Sequence, residues 1–484
     1  MGTPSTPFHL ALHLPRLFYC SVTAVVLAVA LCKVSVRYSF NNNEGWNAFW
    51  AAAAWGGSDL YSDPSKFKLN NYPPLWSYAT GALGRLIGDN VQAGRILASL
   101  ALLLNAVAVS LIVRAITGRG QGSWFAGAAL LAIFGVFYET YVAVNDPQIA
   151  ANCLMSFAIL LSLPQLERTW SKNAEYFSVP LMLIAGLLKP NVVAAPASIA
   201  VFLMLYRRSR LAHFLGLSAM GFVTTCIVLY ASFGPSLFSS VLFPRPYEIS
   251  AAWIITKGQI VNYNVLLSIP LFLSFSANPN TKLVCIYSMI SFILGFLFAG
   301  GADVDINVFF DFAVSISIGL GLLQTSINDL VREKAEIIRN GVVSTGWLAV
   351  ALLSLTFSLQ SGFREASYAF DAVADNTQRD DVAYVRSHGD HVLCDDLALC
   401  YWAGKRFEVD LNNLQTLIWA EPALESHFEE RIADCSYSLI QLGYDWDNAR
   451  VGPFTANVVE ALKTHYRETR RTNSAVYWVP SYCK

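Results

Sequence analysis

The chain has 484 residues, 55% of them apolar and only 14% charged, with a formal net charge of −1 and a mean hydropathy of +0.44. These values lie well outside the soluble range and exclude an ordinary soluble domain. The implied partner is a membrane, not a nucleic acid.

A helix needs roughly 20 mostly apolar residues to cross the hydrocarbon, because only a helix satisfies its own backbone groups there. That window predicts about eleven spans. They lie near 17–36, 91–113, 123–138, 147–164, 176–189, 191–206, 212–232, 263–277, 283–300, 307–324 and 342–360. Ala28-Val29-Ala30 in the first span would suit signal-peptide cleavage, but the segment stays apolar to Val36 and reads as a span. The next loop is exported in either case.

Placing the N-terminus inside puts Arg114/Arg119, Arg168/Lys172, Arg207/Arg208/Arg210, Lys282 and Arg332/Lys334/Arg339 all in cytoplasmic loops. The opposite side then receives the 37–90 loop, short turns near 139–146, 189–191 and 301–306, the 233–262 loop and everything after 360. The expected fold is a polytopic α-helical membrane domain over 1–360 with a small extracytoplasmic α/β domain over 361–484.

In chain order, the first exported loop reads Asn41-Asn42-Asn43-Glu44-Gly45-Trp46-Asn47, an Ala-rich helix to Trp55, and later Asn70-Asn71-Tyr72-Pro73-Pro74-Leu75-Trp76. Glu44 sits just beyond a span, where partial desolvation raises a carboxyl and suits a general base. An acid that merely solvates a helix start fits the same place. Tyr72-Pro73-Pro74 predicts stiff, extended backbone, a pocket wall or a plain turn.

Asn145-Asp146-Pro147 follows at the exported mouth of spans three and four, where Asp146 also suits a helix cap. Lys189-Pro190-Asn191 places a cation on the side that otherwise lacks them, positioned to hold a phosphate. Gly300-Gly301-Ala302-Asp303-Val304-Asp305-Ile306-Asn307 precedes Asp311, and Asn307 and Asp311 lie one helical turn apart. Arg85, Arg95, Arg245 and Lys257 are further cations on this side, equally suited to headgroup contact.

Beyond 360 the charge rises, and alternation at Val392-Leu393 and Phe407-Glu408-Val409-Asp410 predicts strands mixed with helices. Cys394, Cys400, Cys435 and Cys483 lie there, and an oxidising compartment implies two disulfides with three pairings open, Cys394 with Cys400 being a tight loop. Metal on Cys394, Asp395, Asp396 and Cys400 is the alternative, although the spacing is not that of a zinc knuckle and His391 is a lone neighbour. No internal repeat is visible, which disfavours an inverted-repeat transporter.

The order of these segments resembles the GT-C superfamily of polytopic glycosyltransferases, near the protein-mannosyltransferase-like and aminoarabinose-transferase-like families. The elements that carry it are Glu44-Gly45, Asn71-Tyr72-Pro73-Pro74-Leu75, Asn145-Asp146-Pro147, Leu188-Lys189-Pro190-Asn191, and Gly300-Gly301-Ala302 with Asn307 and Asp311.

The resemblance implies transfer of a sugar from a polyprenyl-phosphate donor to a glycan or lipid acceptor outside a membrane, with a bacterial inner membrane as the expected location. Glu44 and Asp146 would be catalytic, Lys189, Arg95 and Arg245 would hold the donor phosphate, and Tyr72, Asn145, Asn307 and Asp311 would line the pocket. Related enzymes often carry an Asp-Glu or Asp-x-Asp pair in the first loop, whereas Asn43 precedes Glu44 here. No metal and no cofactor beyond the lipid-linked donor are therefore expected. The alternatives are a secondary transporter, which predicts polar groups through the membrane depth, and a membrane scaffold whose outer domain binds a partner.

Overall fold

The computed structural model describes residues 21, 23–61, 66–163, 174–333, 367, 370–371, 377–444, 446, 454–472 and 475–483, with backbone alone at 121, 174, 175, 327–333 and 377. The predicted span at 342–360, the loop cations at 168, 172, 334 and 339, and the domain boundary at 360 lie outside them.

The described chain is mainly helical. α1 (Thr23–Ser35) is followed by α2 (Asn42–Gly56), α3 (Leu75–Ile87), α4 (Asn90–Thr117) and α5 (Gly120–Phe137). α6 (Gln148–Leu161), α7 (Ser178–Leu188), α8 (Ala194–Tyr206) and α9 (Arg208–Phe233) continue the bundle. α10 (Pro235–Val241), α11 (Ile249–Tyr263), α12 (Ile269–Ser274), α13 (Pro279–Phe298) and α14 (Phe310–Glu333) complete it.

Local chemistry sets the ends of these helices. The Asn41 side chain accepts from the Asn43 amide to start α2, and Gly57 ends it at φ 75°. Asp89 caps α4 through the Val91 and Gln92 amides, and Gly118 closes it at φ 67°. Asn278 and Pro279 start α13.

α4, α9, α13 and the stretch Ile306–Ser326 are each long and apolar enough to cross a membrane. Over Phe310–Leu322 α14 is almost wholly buried at the centre of the bundle, against α5, α4 and α13. α9 buries only Phe214 and turns an apolar surface outward, as a helix against lipid does.

Three expectations change. The first exported loop contains a full helix, α3, between Pro74 and Gly88. The expected 233–262 loop is mostly α10 and α11. The expected span at 263–277 is not continuous: α11 ends where Asn264 takes φ 39°, and a 3₁₀ turn, Asn264–Ser268, leads into the six-residue α12.

Beyond the bundle stands a four-stranded sheet of β1 (Val392–Cys394), β2 (Leu439–Leu442), β3 (Tyr466–Arg471) and β4 (Val476–Pro480), in the order β1-β2-β4-β3. β1 runs parallel to β2, and the other pairs are antiparallel. Phe407-Glu408-Val409-Asp410 forms no strand; it leads into the helix Leu411–Ala420, which Asp410 caps at the Asn413 amide. Disulfides join Cys394 to Cys400 and Cys435 to Cys483. The Cys394 and Cys400 sulfurs are thereby bonded to each other, which removes them as metal ligands.

The sheet domain is sewn to the first loop. Phe67 and Leu69 enter its apolar core beside Leu411, Leu414 and Phe428. At Gly45 a Cβ would stand 2.0 Å from the Ala398 amide nitrogen, so only glycine lets α2 lie this close to the helix Leu397–Trp402.

Candidate active site at the end of the bundle

The start of α2 and the loops after α2, α5, α7, α10 and α13 converge at one end of the bundle, under the sheet domain. There they enclose a cavity of about 410 Å³ lined by Asn43, Trp46, Asn71, Tyr72, Tyr141, Lys189, Arg245, Asp303, Asp305, Asn307 and Asn413, among others. The polar segments singled out along the sequence therefore meet at one place.

Lys189 is the cavity's best-defined cation. It follows α7 in extended conformation (φ −152°, ψ 127°), and Pro190 turns the chain toward α8. Its ammonium donates to the Tyr72 hydroxyl at 2.9 Å, pairs with Asp146 at 3.3 Å and lies 4.5 Å from the centre of the Tyr72 ring. Asp146 is held in turn by the Gln148 amide, which donates to its Oδ1 at 2.8 Å, the cap expected at this position. Edge-on contact with Trp46, at 4.9 Å between centroids, fixes the Tyr72 ring.

Arg245 anchors the opposite wall by donating to the Ala302 carbonyl at 3.1 Å. Its loop pairs with the 300–302 segment: Glu248 donates to the Gly300 carbonyl and Ala302 to that of Pro246. The sequence places two acids here. Asp305 is committed, accepting from Tyr141 at 2.7 Å and from the Ile306 amide. Asp303 sits at φ 59°, a conformation rarely adopted by a side-chain-bearing residue and common at functional sites. One of its oxygens accepts from Thr416 of the sheet domain at 3.1 Å; the other has no partner among the described residues. Burial raises the Asp303 carboxyl above its usual range, opposed by the Thr416 hydrogen bond and the Arg245 charge.

Of the residues expected from sequence, Lys189, Arg245, Tyr72 and Asn307 line the cavity, and Asp146 stands directly behind Lys189. Four do not. Glu44 is fully buried, and both of its oxygens are taken: Arg95 Nε donates to Oε1 at 2.7 Å and Nη2 to Oε2 at 2.6 Å, while the Asn145 and Phe40 amides complete the set. Arg95 is equally enclosed and spends its remaining donors on the carbonyls of Lys33, Val36 and Tyr38.

Glu44 and Arg95 therefore form an interior clamp between α2, α4 and the end of α1, and neither lines the cavity. Asn145 belongs to the same clamp. Its side chain donates to the Glu44 and Asn90 carbonyls and accepts from Trp76, which leaves nothing for a pocket. Asp311 accepts from Tyr287 of α13 inside the bundle and does not line the cavity, although Asn307, one turn earlier, does.

The sequence reading missed Asp303 as a site residue, although alternating acids after Gly300-Gly301 were a usable signal. Asn413 and Thr416 gave none, because they reach the site from a helix more than a hundred residues away.

No family model and no curated protein sequence matches the chain. Solved structures do. ArnT from Cupriavidus metallidurans, bound to undecaprenyl phosphate and in the apo state, superposes with a TM-score of 0.63 at 14% identity, over 95% of this chain and 97% of that one. An oligosaccharyltransferase, AglB from Archaeoglobus fulgidus, in complex with an inhibitory peptide and a dolichol-phosphate, gives a TM-score of 0.49 at 11% identity over 94% of this chain and 74% of that one. Across nearly its whole length this chain shares the fold of ArnT.

Proposed function

We propose that the protein is an integral-membrane glycosyltransferase that moves a sugar from a polyprenyl-phosphate carrier to a glycan or lipid acceptor. The observation that carries this reading is a cavity holding two cations and a partly free, raised carboxyl, in a fold shared with a protein solved with undecaprenyl phosphate. The bundle would lie in a bacterial inner membrane with the sheet domain outside, in keeping with the two disulfides.

In this reading Lys189 and Arg245 hold the carrier phosphate. Asp146 and Tyr72 orient the Lys189 ammonium rather than acting on the sugar. Asp303 takes the role first assigned to Glu44: it accepts the proton of the acceptor hydroxyl as that oxygen bonds to the anomeric carbon. The anomeric carbon–oxygen bond to phosphate breaks, and the two cations stabilise the negative charge left on the carrier. Positive charge from side chains serves where a metal otherwise could, so transfer is expected to survive chelation. The transporter alternative gains no support, since these charges gather at one end of the bundle.

The test is transfer of label from a panel of radiolabelled polyprenyl-phosphate sugars in membranes with matched protein levels. Transfer by the wild type that is lost in Lys189→Gln and Asp303→Asn supports the reading. Full activity in Asp303→Asn would remove it as the base, and no transfer from any donor would overturn the proposed function.

A further inference from the structure

A second cleft, of about 530 Å³, lies one turn further along α2 from the cavity, where the first loop meets the sheet domain. Phe49 and Trp50 of α2 and Phe407 of the sheet domain form its floor. The Phe49 and Phe407 rings stack at 5.2 Å and 17°, and Trp50 meets Phe407 edge-on at 5.4 Å.

Lys66, Lys68 and Arg406 stand around this floor, with Asp59 the single carboxylate of the lining among the described residues. None of the three cations has an ion-pair partner among the described residues. The nearby Glu408 is already taken by His391 and Arg431. Lys68 lies 5.6 Å from the Phe407 ring centre, and its half-burial disfavours a charge left without a counterion.

Independently of the charge, the Trp50 indole N–H is buried and has no acceptor among the described residues. A buried donor left unpaired is uncommon and points to a missing partner. Cations without an ion-pair partner among the described residues, an apolar ring floor and a buried, unpaired indole donor are together suited to a ring-shaped ligand that carries both hydroxyls and a negative charge.

We infer that this cleft binds an anionic saccharide, a sugar bearing a phosphate or carboxylate group, and that it serves as the acceptor-side subsite of the cavity. The acceptor role rests on the proposed transferase reading; the ligand class does not. Trp46 and Trp50 lie one turn apart on α2, with rings 6.0 Å apart, Trp46 facing the cavity and Trp50 the cleft. An acceptor anchored by its charged group over Phe407 would thus have a neighbouring sugar within reach of the reacting centre.

The full chain in phosphatidylcholine nanodiscs should bind glucose 6-phosphate and glucuronate, measured by calorimetry, at least tenfold more tightly than glucose or inorganic phosphate. Lys68→Gln/Arg406→Gln should weaken that binding at least tenfold, Trp50→Phe should weaken it less, and Lys189→Gln should leave it unchanged. Equal binding of inorganic phosphate, sensitivity to Lys189→Gln instead, or competition by phosphatidylglycerol in the nanodisc would each overturn the assignment. Because Lys68→Gln/Arg406→Gln alters surface side chains, an unchanged melting temperature separates lost binding from lost folding. Saccharide binding by a protein that transfers from no donor would overturn the transferase reading while leaving the ligand class standing.

Discussion

At the scale of single residues, the ionisable groups near the cavity divide into those that face it and those that hold it together. Lys189 faces it. Replacing a charge-assisted contact to phosphate costs about 1.5–3 kcal/mol, so Lys189→Gln should lower kcat/KM for the lipid-linked donor by roughly 10- to 100-fold in the folded fraction, and should lower the melting temperature as well, because it leaves the buried Asp146 carboxylate without its partner. Glu44 holds it together. Removing one partner of a buried ion pair costs about 3–5 kcal/mol, so Glu44→Gln should appear in thermal unfolding of the detergent-solubilised protein, with the kcat of the surviving folded fraction near wild type. A large fall in kcat at unchanged stability would return Glu44 to the catalytic group.

At the scale of elements, the contact between α2 and the helix Leu397–Trp402 joins the two parts of the molecule. It rests on Gly45 against the Ala398 backbone, and the same two parts are tied beside it by Trp46 of α2 donating to Asp410, the cap of the helix Leu411–Ala420, at 2.9 Å and by Trp402 donating to Asp89, the cap of α4, at 3.0 Å. Gly45→Ala has no room at 2.0 Å from a backbone atom, so α2 and the sheet domain must separate. Limited proteolysis should then cut between them far faster than in the wild type.

Asp396, at the start of that same helix, adds a pH dependence. Burial pushes its carboxyl up to about 7, despite hydrogen bonds from Ser39 and Ala398, with Asp395 and Glu44 raising it further. The folded chain therefore binds a proton that the unfolded chain has released, and this contribution to stability is present at low pH and lost as pH rises through about 7. Melting temperatures from pH 4.5 to 7.5 should fall more steeply for the wild type than for Asp396→Asn; parallel slopes would show that the Asp396 carboxyl does not carry this dependence.

At the scale of the whole molecule, the sheet domain completes the site as well as covering it. Asn413 lines the cavity and Thr416 orients Asp303. Loosening the domain should therefore reach the chemistry. The Cys435–Cys483 bridge spans 48 residues, and closing a loop of that length is worth about 4 kcal/mol in the chain-entropy account. Cys435→Ser/Cys483→Ser should lower the unfolding temperature of the domain and reduce kcat at temperatures where the bundle remains folded. Activity that outlasts unfolding of the domain, followed by circular dichroism of its sheet, would show that the bundle forms the site alone.

Hydrophobic runs depend only on local composition, so the sequence by itself determined the membrane class, the main apolar helices and the acid-and-cation clusters at one end of them. The tight turn at Lys189-Pro190 and the Asp146 cap were legible for the same reason, since both are set by neighbours in the chain. α11 was not, because its apolar residues follow no long run and its end depends on the backbone at Asn264. Which acid faces the cavity was decided only by tertiary structure. Glu44 and Asp303 are both carboxylates beside apolar segments, yet Arg95, fifty-one residues away, encloses one while Thr416, a hundred and thirteen residues away, orients the other. Pairing across such separations follows from how the helices pack, and local sequence carries no trace of it.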